Sequence, residues 1–467
     1  MSVRGGLRAM VFGVFGVLIS GGVPQSAQAE TLADALAQAY RNSNLLEQNR
    51  ALLRATDEDV VQAAAALRPV VEFVASALTN SDGAPAYSVS ASLNLSMSLI
   101  DFGRGRLQVD AAREQVLATR QALTVVEQSV LGNAARAYLN LYSKLQSVQL
   151  ARSAVGVINE QLRAAQERFE LGDSTRTDVA IAEARLAAAR SSLAAAQGDA
   201  AVAREEYNLA VGRYPSSVAA PPGLPRLPAS LEAAQDIARR QHPAIIQAQH
   251  AVAAADLVAQ ISGRQRYGTV TGSLSASTSS TDTTLGGHSS SSGVNASVRY
   301  AVPIYNAGRL DSAERQAVAR GEAQRASLHQ TVAVIQQAVA ANWSMLQVAR
   351  ARVAAADLQI RASESAYEGI RAEAELGSRT TLDLLNAEQE LLDARLARIQ
   401  ASAGVQQTAY GLLESMGQMT VQALNLGIPT YDVEAYADAF ATRGSNAPRA
   451  SEQGRSLDRI LGRFQRP

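Results

Sequence analysis

The sequence feature that most constrains the fold is an internal repeat. A motif centred on Gly172, FELGDSTRTDVAIAEARLAAA at 169–189, returns about two hundred residues later as AELGSRTTLDLLNAEQELLDA at 374–394, centred on Gly377. Both copies lie inside very long helical patterns. The chain is therefore predicted to consist of two similar units.

Two further matches support the repeat. The offset of 205 residues that aligns the two glycines also aligns PIYNAGR (303–309) with SLIDFGR (98–104). Nearer the start of each half the offset is 199, where SLEAAQDIARRQHPAII (230–246) matches TLADALAQAYRNSNLLE (31–47). The six additional residues of the second half are expected in the Ser/Gly/Thr-rich loop 279–293.

Each half begins with a helix of moderate length, predicted at 31–67 and 230–262, followed by two strand-like runs around a polar loop. Residues 87–99 alternate almost perfectly between apolar and small polar side chains, and 294–304 repeat the pattern. Such alternation is typical of a strand with one apolar and one polar face. The predicted strands are 70–79, 87–99, 268–278 and 294–304.

Long helices are predicted after the strands. Proline is absent from 86–214 and from 304–428. The stretch from Arg104 to Leu171, and its equivalent from Arg309 to Leu376, would each reach about 100 Å as one α-helix. Helices of that length must pack side by side, as in a coiled coil.

The glycine-centred motifs are predicted to be the tips of helical hairpins, at about 171–177 and 376–382. Gly172 and Gly377 permit the left-handed conformation that ends a helix. A capping box then starts the next helix, formed by Thr175 and Asp178 in the first half and by Thr380 and Asp383 in the second.

The N-terminus predicts a cleaved export signal. Arg4 and Arg8 precede an apolar run at 9–19, and Ala27-Gln28-Ala29 supplies the small residues of a cleavage site. The apolar run is too short to span a bilayer stably. Without residues 1–29 the 43 basic residues fall to 41 against 43 acidic ones, a formal charge of −2. That balance gives no support for nucleic-acid binding.

Composition argues against catalysis. The chain has no cysteine, and its four histidines lack a ligand-like spacing. It also lacks a Gly-rich phosphate loop and a GxSxG elbow. The sequence therefore predicts no catalytic site, no metal site, no cofactor and no enzyme activity.

The predicted organisation, in chain order, is a signal peptide (1–29), a first repeat (30–214), a Pro-rich linker (215–229), a second repeat (230–428) and a largely disordered polar tail (429–467).

Four strands cannot stand alone in a membrane, because an open sheet leaves edge groups unpaired in hydrocarbon. Their alternation suits a barrel wall with lipid outside and water inside. Several chains would then each contribute four strands to one closed barrel. The alternative is a soluble pair of β-hairpins packed on helix ends.

Taken together, these segments resemble the TolC-like outer membrane efflux proteins, also called outer membrane factors. The resemblance covers about 30–428 and depends on the duplicated order of elements, the PIYNAGR junction, the GSRTTLDLLNAEQELLDAR corner and the opening TLADALAQA. It implies a mainly α fold with a small β part, in which long antiparallel helical hairpins form an α-barrel. It also implies a homotrimer with a 12-stranded β-barrel in lipid of the Gram-negative outer membrane and a large periplasmic part.

The resemblance also implies a function. Such channels are passive exit ducts of a tripartite efflux pump or a type I secretion system. A periplasmic adaptor and an inner-membrane transporter, of the RND or ABC type, open them at the periplasmic tip. The alternative is a periplasmic coiled-coil adaptor or structural protein of an envelope-spanning complex. A third class, an exported enzyme, is disfavoured by the missing catalytic motifs described above.

Site residues follow from the same resemblance. The expected pore constriction is Asp383 with Asn386, and the expected link between the tips is Arg379 with Thr177 and Asp178. Asn386 stands where better-known members have a second acid, and Ala374 where they have a linking tyrosine. The strand-to-helix junctions are assigned to Gly103, Arg104, Gly308 and Arg309.

Overall fold

The computed structural model of the chain describes residues 29–80, 86–283 and 286–431. The expected signal peptide and the expected tail beyond Tyr431 lie outside these residues, apart from Ala29 at the end of the signal. Eight helices and four strands make up the described part, with a single 3₁₀ turn at Gln265–Tyr267. In chain order they are α1 Leu32–Asn42, α2 Asn44–Ala65, β1 Val70–Asn80, β2 Ala86–Ile100, α3 Arg104–Glu170, α4 Arg176–Val211, α5 Leu231–Gln241, α6 Pro243–Arg264, β3 Thr269–Thr283, β4 His288–Ala301, α7 Arg309–Glu375 and α8 Thr381–Ser415.

The strands form one antiparallel sheet in the order β1-β2-β3-β4. Its two faces differ in chemistry, because the alternation of each strand stays in register across the sheet. One row of paired residues is apolar: Phe73, Leu93, Ala276 and Val294. The next row, on the opposite face, is polar: Glu72, Asn94, Ser275 and Asn295.

Serine hydroxyls hydrogen-bond between neighbouring strands on the polar face. The hydroxyl oxygens are 2.7 Å apart in the Ser273–Ser297 pair and 3.0 Å apart in the Ser279–Ser291 pair. The second pair lies within the run expected to be a loop at 279–293. Strands β3 and β4 in fact extend through most of that run, so this expectation is wrong. The serine-rich segment forms strands here because its two halves pair along the ladder, and hydroxyl contacts such as Ser279–Ser291 add to that pairing.

The six additional residues of the second half lengthen both arms of its β-hairpin. Asn80 pairs with Ala86 and Asp282 with His288, so the two turns are centred 202 residues apart. The offset is 199 before the hairpin and 205 after it, so each arm gains three residues. The expected strand 294–304 accordingly begins earlier, at His288, and ends at Ala301, before Pro303.

Each predicted first helix is divided into two. Ser43 (φ −69°, ψ 110°) separates α1 from α2, and its hydroxyl accepts a hydrogen bond from the amide of Leu46. His242 separates α5 from α6, and its side chain likewise caps the second helix, in which Pro243 occupies the first position. A residue before proline avoids the helical conformation. Proline is tolerated at the first helical position, because the N–H group that it lacks would have no partner within the helix there. The break is therefore encoded in both halves.

The long helices form two antiparallel hairpins, named here the first hairpin (α3–α4) and the second hairpin (α7–α8). Helices α3 and α7 each have 67 residues and thus reach about 100 Å. None of the helices in the described ranges combines the length and the apolar character needed to cross a membrane.

The main core lies in the middle of the hairpins, around the fully buried Tyr138 and Tyr207. The Tyr138 hydroxyl is 2.9 Å from the Glu30 carbonyl oxygen and 2.8 Å from that of Ala219. It therefore fastens the start of the first repeat and the linker to α3.

The strand-to-helix junctions use two consecutive left-handed residues, Phe102 and Gly103 in the first half and Ala307 and Gly308 in the second. In the first half the Asp101 carboxylate accepts hydrogen bonds from the amides of Gly103 (2.9 Å) and Gly105 (2.6 Å). In the second half the side chain of Asn306 accepts a longer one, 3.4 Å, from the amide of Leu310.

Candidate functional site

The two hairpins end in separate tips that have the same backbone structure. At the first tip the amide of Gly172 donates to the Phe169 carbonyl, and the amide of Asp173 to that of Arg168. At the second tip Gly377 and Ser378 repeat the pattern with Ala374 and Glu373. This Schellman arrangement satisfies carbonyl groups at the helix end and requires a left-handed residue. Gly172 (φ 83°) and Gly377 (φ 78°) supply it.

A capping box starts each returning helix. At the second tip the Thr380 hydroxyl accepts from the Asp383 amide at 3.2 Å, and the Asp383 carboxylate accepts from the Thr380 amide at 3.1 Å. Thr175 and Asp178 form the same box at the first tip.

Hydrogen bonds from the amide and hydroxyl of Thr380 hold the pKa of Asp383 below its ordinary value. The hydroxyl and amide of Thr175 lower the pKa of Asp178 in the same way. Both carboxylates are therefore ionised at neutral pH.

The expected link between Arg379 and Asp178 does not form within one chain. The Arg379 Nε lies 2.7 Å from a carboxylate oxygen of Glu373, on its own tip. The Asp178 carboxylate is engaged by Thr175 and Ser174. A link between tips of different chains stays a prediction.

A different contact joins the two hairpins near the tips. Arg185 on α4 donates from Nη2 to the Asn386 side-chain oxygen on α8, at 2.8 Å. The contact lies at the edge of a small buried cluster of Ala165, Ala182 and Leu385. Arg185 was not singled out from the sequence, because its partner is 201 residues away and no local motif marks it.

Glu388 is also close to the tip and is buried, with a residue exposure of only 6%. Within the described part of the chain its Oε2 has no hydrogen-bond partner. Burial raises the pKa of this carboxyl, although a hydrogen bond from Tyr367 opposes the shift. Burial, with the bond to Glu388, also raises the pKa of Tyr367 to about 12. The second hairpin therefore contains, near its tip, a buried carboxyl group with an oxygen that lacks a hydrogen bond.

The described residues contain no group of three or more His, Asp or Glu side chains that could hold a metal ion. In the described residues the tips combine helix caps, charged side chains, the Arg185–Asn386 hydrogen bond and the buried cluster beside it.

The sequence model of the family described as outer membrane efflux protein matches residues 35–213 and again 235–418, once in each repeat. The chain belongs to this family. Like other outer membrane efflux proteins, it is located in the outer membrane of a Gram-negative bacterium, with a large periplasmic part. Its predicted mainly helical fold, with four antiparallel strands and a two-fold repeat, is confirmed.

Three comparisons illustrate the range of the outer membrane efflux proteins. The outer membrane efflux protein BepC of Brucella suis is 34% identical over 432 residues, which is 91% of this chain and 93% of BepC. The outer membrane protein TolC of Escherichia coli is 24% identical, covering 94% of this chain and 91% of TolC. The crystal structure of VceC from Vibrio cholerae superimposes with a TM-score of 0.68 at 20% identity, covering 83% of this chain and 96% of VceC.

Proposed function

We propose that three copies of this chain form a passive exit duct, which a periplasmic adaptor and an inner-membrane transporter open at the helical tips. The observation that supports assembly is the sheet. Among the described residues, its strands β1 and β4 each have one side without a strand partner. In hydrocarbon each unpaired backbone group is destabilising by several kcal/mol, so β4 of one chain is expected to pair with β1 of the next.

The two faces of the sheet support the same proposal. The apolar side chains of Phe73 and Val294 are 68% and 75% exposed in the single chain. In a closed barrel they would face lipid, and the serine-rich face would line a water-filled interior. The helical hairpins would continue this interior through the periplasm, where Asp383 and Asn386 would form the narrow entrance.

An engineered disulfide between β1 and β4 tests the assembly. The chain has no native cysteine, so introduced cysteines are the only thiols. Within one chain β1 and β4 are three strand spacings apart, about 14 Å, which is too far for a disulfide. We expect Val294→Cys, combined with single cysteines placed along β1, to give covalent trimers at one register.

Leu93→Cys with Ala276→Cys is the matched control, because these residues pair within the chain. That pair should oxidise without changing the apparent mass. If no register along β1 gives a trimer, and the purified protein is monomeric and inserts into no bilayer, the duct proposal is wrong. A periplasmic adaptor would behave in that way.

A further inference from the structure

The contact between Arg185 and Asn386 bears on what can pass the entrance. Asn386 follows Asp383 by three residues on α8, so the two side chains lie on neighbouring positions of one helix face. The guanidinium that contacts Asn386 therefore lies about one helical turn from Asp383 along α8. Arginine keeps its positive charge at any pH a protein meets.

Arg379 and Arg185, both near the tips, are balanced differently. Arg379 lies 2.7 Å from the Glu373 carboxylate, so a neighbouring acid offsets its charge locally. The hydrogen bond of Arg185 goes to the neutral amide of Asn386. Arg379 also acts on the Asp383 carboxylate, and the Arg185 charge adds to it from the first hairpin.

The position of Arg185 is held by packing as well as by this hydrogen bond. Ala182 lies one turn before Arg185 on α4, and Leu385 lies immediately before Asn386 on α8. Both belong to the buried cluster that joins the hairpins, with exposures of 0% and 3%. A side chain anchored at the border of such a cluster has a defined place relative to the entrance.

We propose that Arg185 sets the charge selectivity of the entrance: it holds Asn386 and offsets the Asp383 carboxylate, so that anionic solutes can pass as well as cationic ones. This inference rests on the proposed function. In a trimer three guanidinium groups would stand against three Asp383 carboxylates, giving a neck with almost no net charge.

Reversal potentials of single channels in planar bilayers under a KCl gradient test the inference. We expect Arg185→Gln to raise the cation-to-anion permeability ratio by roughly threefold or more, the Boltzmann factor for one unit charge at about 6 Å in water. Arg185→Lys should keep the wild-type ratio, because it keeps the charge. Arg190→Gln removes an exposed arginine from the same helix, farther from the tip, and should also leave the ratio unchanged.

A double-substitution cycle adds a second, independent readout. Asn386→Asp introduces a carboxylate directly opposite Arg185. It should raise the cation-to-anion permeability ratio, and together with Arg185→Gln the ratio should exceed that of either single variant, because each substitution makes the neck more negative. The effect of Asn386→Asp can also be measured in the Arg185→Lys background. The readout therefore does not depend only on the stability of the Arg185→Gln variant.

The results separate the two proposals. If the wild-type protein forms no channels, the duct itself is refuted. If it forms channels and Arg185→Gln leaves the reversal potential unchanged, or if the double variant is no more cation-selective than Asn386→Asp alone, Arg185 does not set selectivity.

Discussion

Replacing Gly377 by alanine should weaken the second tip by strain alone. A Cβ atom added at Gly377 would meet no heavy atom within 4 Å, so no clash is introduced. The residue has φ 78°, where an L-residue is destabilised by about 1–2 kcal/mol. Alanine also lowers the conformational entropy of the unfolded chain, which stabilises the folded state by about 0.4–1 kcal/mol. The net destabilisation of the tip should be about 1 kcal/mol.

Gly369 provides a matched control two turns earlier in α7. A Cβ there also meets nothing within 4 Å, but the backbone is helical. Gly369→Ala should therefore stabilise the end of the helix by about 0.5–1 kcal/mol. The same substitution, at two sites eight positions apart, should act with opposite sign.

Hydrogen–deuterium exchange of the amides in 370–384, measured on the detergent-solubilised protein, can resolve this difference. A gap approaching 2 kcal/mol between the two variants corresponds to roughly a 30-fold difference in the local opening constant. If Gly377→Ala protects these amides as much as Gly369→Ala does, the left-handed conformation of the tip is not what holds it.

Three further predictions concern the caps, the buried acid and the core. Asp383→Asn should lower the cation-to-anion permeability ratio, because it removes a fixed negative charge; an unchanged reversal potential would show that Asp383 does not face the pore. The raised pKa of Glu388 means that its stabilising contribution is present at pH below its ordinary value of 4.5 and is lost as the pH rises through the folded value. Exchange protection of the tip should therefore fall as the pH rises above 4.5, and Glu388→Gln should abolish that fall; burial raises the pKa of Tyr367 to about 12, and Arg371 and Arg395 are the other charges that act on Glu388. Tyr138→Phe should lower the free energy of unfolding by about 1 kcal/mol, seen as a lower thermal midpoint, because the hydroxyl bonds to the linker and the first repeat are lost; an unchanged midpoint would contradict the anchoring role.

The parts of the fold with a local cause were the ones that could be predicted from the sequence. A left-handed glycine followed by a threonine–aspartate capping box depends on residues within a few positions of each other, and so it can be recognised in both repeats. The length of α3 and α7 follows equally from the absence of proline. The breaks at Ser43 and His242 carried local signals too, a capping serine and a residue before proline, yet the continuous apolar pattern around them favoured one helix.

Features that depend on distant partners could not be predicted in the same way. A run such as His288–Gly293 has few strand-forming side chains, and it becomes a strand by pairing with β3. The contact between Arg185 and Asn386 joins positions 201 residues apart and has no motif. The sequence does not distinguish Glu388 from an exposed helical glutamate, because its burial depends on the packing of α7.

The two repeats connect their strands to their long helices with unequal stiffness. In the first, the Asp101 carboxylate binds two backbone amides directly after β2, so α3 is clamped to the sheet. In the second, seven residues, 302–308, separate β4 from α7 without regular structure, and Ile304 among them is 96% exposed. A movement of the second hairpin, which carries Asp383, should therefore bend the segment 302–308 before it displaces the strands. We expect the second hairpin to change its tilt more easily than the first, without a matching change in the sheet.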